Sequence, residues 1–140
     1  MSMSTISSSE KLSEGYDRKK KCHVVDVKKL CRVLVKIIKQ ADKAGDDTGL
    51  VIDSHLSHYI SPRYVDACLV TKCNLKLLSR RLKRRKYGEA KVRENLDCEI
   101  FDVCYNEAAE AGHNIIVVET DSKVEYDKLV RKIRRKKIKK

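Results

Sequence analysis

Apolar residues recur at Val27, Leu30, Cys31, Leu34, Ile37, Ile38 and Ala41, three and four positions apart, with lysines and arginines between them. That spacing predicts an α-helix with one buried stripe, capped by Asp26 and stopped by Gly45. The rhythm then changes to short apolar bursts at residues 49–53, 67–71 and 115–119, the pattern of strands covered on both faces. Between the first two, Ser61 and Pro62 read as the N-cap and first residue of a short helix. Asn74 opens a basic helix with Leu75, Leu78 and Leu82 inward. After Gly88, Val92, Leu96, Ile100, Val103 and Ala108 predict one helix to about Ala111, closed by Gly112. Ser122 and Glu125 form a capping-box pattern ahead of a last helix that buries Val124, Leu129 and Ile133. No core-forming period precedes Val24, so residues 1–21 are expected to be loosely structured.

Strands alternating with helices imply α/β crossovers and a parallel sheet, here of about three strands with flanking helices. A chain of 140 residues supports one domain with one core. Residues 22–133 are assigned to that α/β domain and residues 134–140 to a basic tail. With 41% apolar and 37% charged residues, the core is small and the surface densely ionised. No run approaches the ~18 to 20 apolar residues that cross a bilayer, and the Ser-rich start has no apolar signal core. A soluble, unsecreted protein of the cytoplasm or nucleus, with no membrane partner, is expected. The cysteines at 22, 31, 68, 73, 98 and 104 include no Cys-x-x-Cys, and reduced, mostly buried thiols are expected.

The net charge of +12 is concentrated between Lys76 and Lys86 and from Arg131 to the end. A solvated helix face explains part of this; the rest favours a polyanionic partner, RNA ahead of membrane. The terminal run also fits a nuclear-import signal or a frayed tail.

Parallel α/β sheets bind ligands beyond the carboxyl ends of their strands, which puts Asp53 and His55 where a site belongs. A carboxylate there orients Mg²⁺ and its waters in phosphate-binding folds, or caps a turn. His55 and His58 lack third and fourth partners at zinc-ligand spacing, so no zinc is expected. The glycines are scattered, and neither G-x-x-x-x-G-K-[ST] nor G-x-G-x-x-G occurs.

Gly15-Tyr16-Asp17, Val25-Asp26, Val51-Ile52-Asp53-Ser54-His55, Arg81-Leu82 and Arg85-Lys86-Tyr87 occur in an order that resembles the adenylate kinase isoenzyme 6 family. The run from Asn95 to Ala108 carries the resemblance most specifically, and the whole extends over roughly residues 10–135. It implies a P-loop nucleoside-monophosphate-kinase fold with a helical lid at about residues 81–96. It also implies phosphoryl transfer from ATP to AMP, ATP hydrolysis, and a part in small-ribosomal-subunit assembly with a ribosomal protein and rRNA. By position, Gly15, Tyr16 and Asp17 fall in the AMP-binding region. Asp53 and His55 form a Walker-B-like pair, Asp53 assisting Mg²⁺ through water and His55 placing the hydrolytic water. Arg81, Arg85 and Tyr87 enter the lid over the phosphates, and Glu99 is structural on the lid's returning helix.

Two departures stand out. The family's lid Arg-Gly-Tyr reads Arg85-Lys86-Tyr87, exchanging a hinge glycine for a charge. The Walker A strand, loop and helix have no counterpart before Glu10, so the resemblance predicts an N-terminally truncated fold whose 140 residues alone are inactive. The alternatives are a P-loop-less basic binding module or pseudoenzyme in ribosome assembly, or a truncated gene product.

Overall fold

The computed structural model describes residues 13–17, 22–43 and 49–137. Gly45, the expected helix stop, lies outside them, as do residues 138–140 of the basic tail. The chain divides into two compact units, residues 1–64 and 65–140, where the sequence suggested one domain.

In the first unit β1 (Ser13–Asp17) pairs antiparallel with β2 (Cys22–Val25), setting Tyr16 opposite His23 and Asp17 opposite Cys22. A strand therefore occupies part of the segment expected to be loose. Two short segments this close in sequence can pair without any long apolar period. Helix α1 (Val27–Lys43) follows, and Asp26 caps it as expected. The Lys29 amide donates to Asp26 Oδ1 and the Leu30 amide to the Asp26 carbonyl, both at 2.9 Å. Leu30 and Leu34, one turn apart, are fully buried, as is Ile60. Each such side chain contributes about 1.5–3 kcal/mol. The Cys31 thiol donates to the Tyr59 carbonyl at 3.3 Å, tying α1 to the turn beyond it.

Residues 49–52 are not the strand that their apolar burst predicted. Asp53 is an isolated bridge, and Val51 is 74% exposed. An apolar run becomes a strand when a neighbour takes up its N–H and C=O groups, and among the described residues none runs beside 49–52. Two 3₁₀ turns follow, Ser57–Tyr59 and Pro62–Tyr64, the second opened by the Tyr64 amide on the Ser61 carbonyl at 3.0 Å.

The second unit is α/β. β3 (Cys68–Lys72) runs parallel to β4 (Ile115–Glu119), with Cys68 beside Ile115 and Lys72 beside Glu119, so the parallel sheet has two strands among the described residues. Val70 and Ile116 are buried, whereas their in-register mates Val117 and Leu69 are 42% and 39% exposed. Each strand is covered on one face only.

The crossover carries α2 (Leu75–Arg84), α3 (Glu89–Ile100) and α4 (Val103–Glu110). Asn74 caps α2 through the Lys76 amide at 3.0 Å, and Leu82, Val92 and Ala108 supply the buried apolar side chains. Leu75, expected inward, is 40% exposed, because it sits in the first turn on the outward side. The single helix expected between Gly88 and Ala111 is two. Asp102 breaks it in the left-handed region at φ 52°, which Asp tolerates better than most residues. Asn106 Nδ2 then donates to the Phe101 carbonyl at 3.0 Å, satisfying a group that the break releases. Gly112 does close the second piece, at φ 82°.

Helix α5 (Tyr126–Lys137) starts later than the Ser122 capping box implied: the Leu129 amide bonds the Glu125 carbonyl at 3.1 Å. Val124, Leu129 and Ile133 are half-buried rather than buried. The thiols of Cys31, Cys68, Cys73, Cys98 and Cys104 are free, but none is buried, and Cys98 and Cys104 are exposed. No helix among the described residues is long and apolar enough to cross a membrane.

Candidate functional site

In the first unit, Asp53, Ser54 and His55 enter a turn that Ser54 organises. Its hydroxyl accepts the Leu56 amide at 3.0 Å, and its carbonyl accepts the Ser57 hydroxyl at 2.8 Å. With the central residue held inward, Asp53 and His55 are both exposed. The Asp53 carboxylate makes no hydrogen bond or ion pair among the described residues. His58 is buried against the ring of Tyr59, with centroids 4.2 Å apart, and belongs to the packing of this turn. Gly15, Tyr16 and Asp17 lie in β1 of the same unit.

Asp53 fits Mg²⁺ in one restricted sense. No cluster of three or more His, Cys, Asp or Glu side chains that could hold a metal occurs among the described residues. A lone exposed carboxylate suits an ion that keeps its waters and is bound chiefly by a nucleotide's phosphates, the usual habit of Mg²⁺.

In the second unit, polar groups gather at the carboxyl ends of β3 and β4, where an α/β sheet presents its ligands. Arg81 from α2 reaches across them. Its Nη1 donates to Thr120 Oγ1 at 3.2 Å and to Cys73 Sγ at 3.3 Å, and its Nη2 to the Thr120 carbonyl at 2.6 Å. Thr120 in turn donates its amide and its hydroxyl to the Lys72 carbonyl at 2.9 and 2.8 Å. Asp121 accepts the Asn74 amide at 2.6 Å, joining the two loops that leave the strands.

Below this clasp, Lys72 Nζ meets Glu99 Oε1 at 3.3 Å, the Glu99 carbonyl at 3.2 Å, and the Asp102 carboxylate. Glu99 Oε1 also accepts the Cys73 amide at 2.9 Å. The structural role implied for Glu99 thus has concrete partners. The Asp102 hydrogen bond raises the Lys72 pKa from its ordinary 10.5; burial opposes the rise and Glu99 adds to it.

The remaining lid residues are placed differently. The Arg85 amide closes α2 on the Arg81 and Leu82 carbonyls, and its side chain is exposed. Lys86 follows at φ 59°. Tyr87 is 36% exposed, with Lys91 Nζ 4.6 Å from its ring centroid. Among the described residues Arg85 and Tyr87 therefore have exposed side chains, whereas Arg81 is already engaged by the strand ends.

Sequence reasoning missed Cys73, Asn74, Thr120 and Asp121 as members of this cluster. Their signal was there to be read, because each follows closely on an apolar burst and so stands at the carboxyl end of a strand.

Residues 3–102 match the model of a family described as AAA domain, which is more than two thirds of the chain. Among curated proteins, the adenylate kinase isoenzyme 6 homologue of Saccharomyces cerevisiae is 34% identical over 114 residues, 81% of this chain and 54% of its own length. The homologue of that name in Dictyostelium discoideum is 31% identical over 113 residues, 81% of this chain and 61% of its own. That of Caenorhabditis elegans is 36% identical over 111 residues, 79% of this chain and 58% of its own. The chain thus spans little more than half the length of these relatives.

Proposed function

Since the chain belongs to the adenylate kinase isoenzyme 6 family, we propose that it binds ATP and AMP, and we assign nucleotide contacts separately to the turn at Asp53 in the first unit and to the lid residues in the second. The observation that supports this reading is the turn at Ser54, which leaves Asp53 and His55 exposed and, among the described residues, without another side-chain partner. Mg²⁺ bound with ATP would neutralise developing charge on the transferred phosphoryl group. Asp53 would help to hold that ion through water, and its negative charge would favour the ion's place beside the turn. His55, two residues on, would orient an attacking water in the hydrolytic reaction.

Lid residues contribute by charge and stacking. Arg85 presents donors to phosphate oxygens, Tyr87 a ring face, and Arg81 holds the floor of the lid through Thr120 and Cys73. Gly15, Tyr16 and Asp17 are assigned to the AMP side, where a backbone without a Cβ at Gly15 permits close approach of a nucleotide.

The amide-rich cradle that catalyses phosphoryl transfer in this fold class is not encoded in these 140 residues. These residues alone are therefore proposed to bind nucleotide weakly and to turn it over poorly. By the same reading, the protein works in small-ribosomal-subunit assembly with a ribosomal protein and rRNA, in the cytoplasm or nucleus.

Calorimetric titration with ATP and Mg²⁺, beside an AMP titration and a melting curve, tests the site. Saturable binding that raises Tm and weakens in Asp53→Ala supports it. A cooperatively melting chain that binds neither nucleotide overturns it.

A further inference from the structure

The last helix has a composition that the nucleotide site does not use. α5 reads YDKLVRKIRRKK, with Asp127 its only acid. Lys128, Arg131, Lys132 and Arg135 stand at i, i+3, i+4 and i+7, which at 3.6 residues per turn places them on one stripe about 100° wide and about 10 Å long. Leu129 and Ile133 fall on the other side and are half-buried, while Arg131, Lys132, Arg134 and Arg135 are exposed. Glu125 pairs with Lys128 at 2.7 Å; among the described residues no carboxylate pairs with Arg131, Lys132 or Arg135.

Like charges three and four positions apart destabilise a helix. Cations near a helix C-terminus are favoured by its dipole, but that effect is confined to the last turn, whereas this stripe begins near the start of α5. It is therefore an arrangement that an external countercharge relieves. A membrane surface suits it poorly, because interfacial helices bury an apolar face in lipid, whereas Leu129 and Ile133 of α5 are both partly covered by the protein. On an RNA duplex the major groove is too deep and narrow for side chains to reach base edges, so such a stripe meets phosphates rather than sequence.

From this geometry we infer that α5 docks on the phosphate backbone of a nucleic-acid duplex without reading its sequence. A duplex carries one charge per ~1.7 Å of axis, so a stripe of about 10 Å meets several phosphates at once. None of the residues assigned to the nucleotide site lies on α5, and the inference does not depend on that site.

The test is fluorescence anisotropy of the full chain with labelled RNA duplexes of two unrelated sequences, between about 50 and 200 mM salt. Neutralising three phosphates gives a logarithmic salt slope of about −2.7, or about a 40-fold loss of affinity across that range. Both sequences should bind within about threefold of each other. The triple substitution Arg131→Gln, Lys132→Gln, Arg135→Gln should abolish most of the slope, with the chain's Tm showing that it remains folded. Removing three exposed charges from α2 instead, by Arg80→Gln, Lys83→Gln and Arg84→Gln, should cost less than a third of that slope. Equal losses from both triples would reduce the effect to diffuse charge and overturn the assignment. Strong preference for one sequence, no binding at the lowest salt, or tighter binding to vesicles rich in anionic lipid would each overturn it too.

Discussion

Arg81 and Thr120 are 39 residues apart in sequence, yet the guanidinium of one meets both oxygens of the other, Nη1 to Oγ1 at 3.2 Å and Nη2 to the carbonyl at 2.6 Å. A fork of this kind fastens α2 to the loop after β4 and, through Thr120, to the last carbonyl of β3. An arginine that a nucleotide-lid reading assigns to phosphate is thus first a structural clasp.

Arg81→Ala is accordingly expected to lower stability by about 1.5–3 kcal/mol, the range for hydrogen bonds from a charged donor. Arg81→Lys should recover less than half of that, because an ammonium cannot span two acceptors in a fixed plane. Urea unfolding measures both. Equal stability of all three proteins would show that the clasp contributes nothing.

Lys86 has φ 59°, a region that costs a residue with a Cβ about 1–2 kcal/mol. Lys86→Gly removes that strain and adds backbone freedom to the unfolded chain, for a net gain of about 0.5–1 kcal/mol. Lys86→Val should instead destabilise. A shift in urea midpoint without a change in slope is the readout.

Asp53 is exposed and outside any ion pair among the described residues, so Asp53→Asn should leave stability within about 0.5 kcal/mol of the parent. Its effect should appear instead in ATP affinity measured with Mg²⁺, and largely vanish when Mg²⁺ is chelated. Loss of stability without loss of affinity would assign Asp53 to the turn rather than to nucleotide.

At alkaline pH the direction of change is fixed by two kinds of group. Lys72 has a folded pKa raised above 10.5, so its contribution is intact below that pH and disappears as pH rises through the folded value. Burial raises the Cys31 and Cys68 thiols above 9.0, and the Cys104 thiolate adds to the rise at Cys68. Holding a neutral thiol in the folded state likewise loses its contribution as pH climbs past 9.0. Stability should therefore be level from neutral pH to about 9 on these groups' account and then fall. Lys72→Met should remove the portion above 10.5, which denaturation at several pH values would reveal.

Helix α1 was legible because everything that makes it is local: the Asp26 cap, the ~3.6-residue period, and Leu30 and Leu34 on one face. β3 and β4 were legible for a similar reason, each being a compact apolar burst. Residues 49–52 have the same look, but a strand is a property of two segments, and a single sequence window does not contain the second. The break at Asp102 was hidden because Val92 to Ala108 keep a helical spacing through it. What marks Asp102 is Lys72, 30 residues earlier. In the candidate site, Asp53 and His55 were assigned from their place after an apolar run, and what the structure adds is that both are exposed. The engagement of Arg81 was not legible, since its two Thr120 acceptors lie beyond the whole crossover.

The β3 and β4 ladder closes late. Thr120 bonds a carbonyl 48 residues behind it, so none of this pairing is complete until synthesis has passed Thr120. The three intervening helices use contacts within their own turns and form sooner, since closing so long a loop must precede any gain from the sheet. During translation β3 is left with apolar Leu69 and Val70 and two unpaired edges. Residues 68–72 are the segment that a nascent-chain chaperone would be expected to hold, and release from it is complete only when β4 arrives.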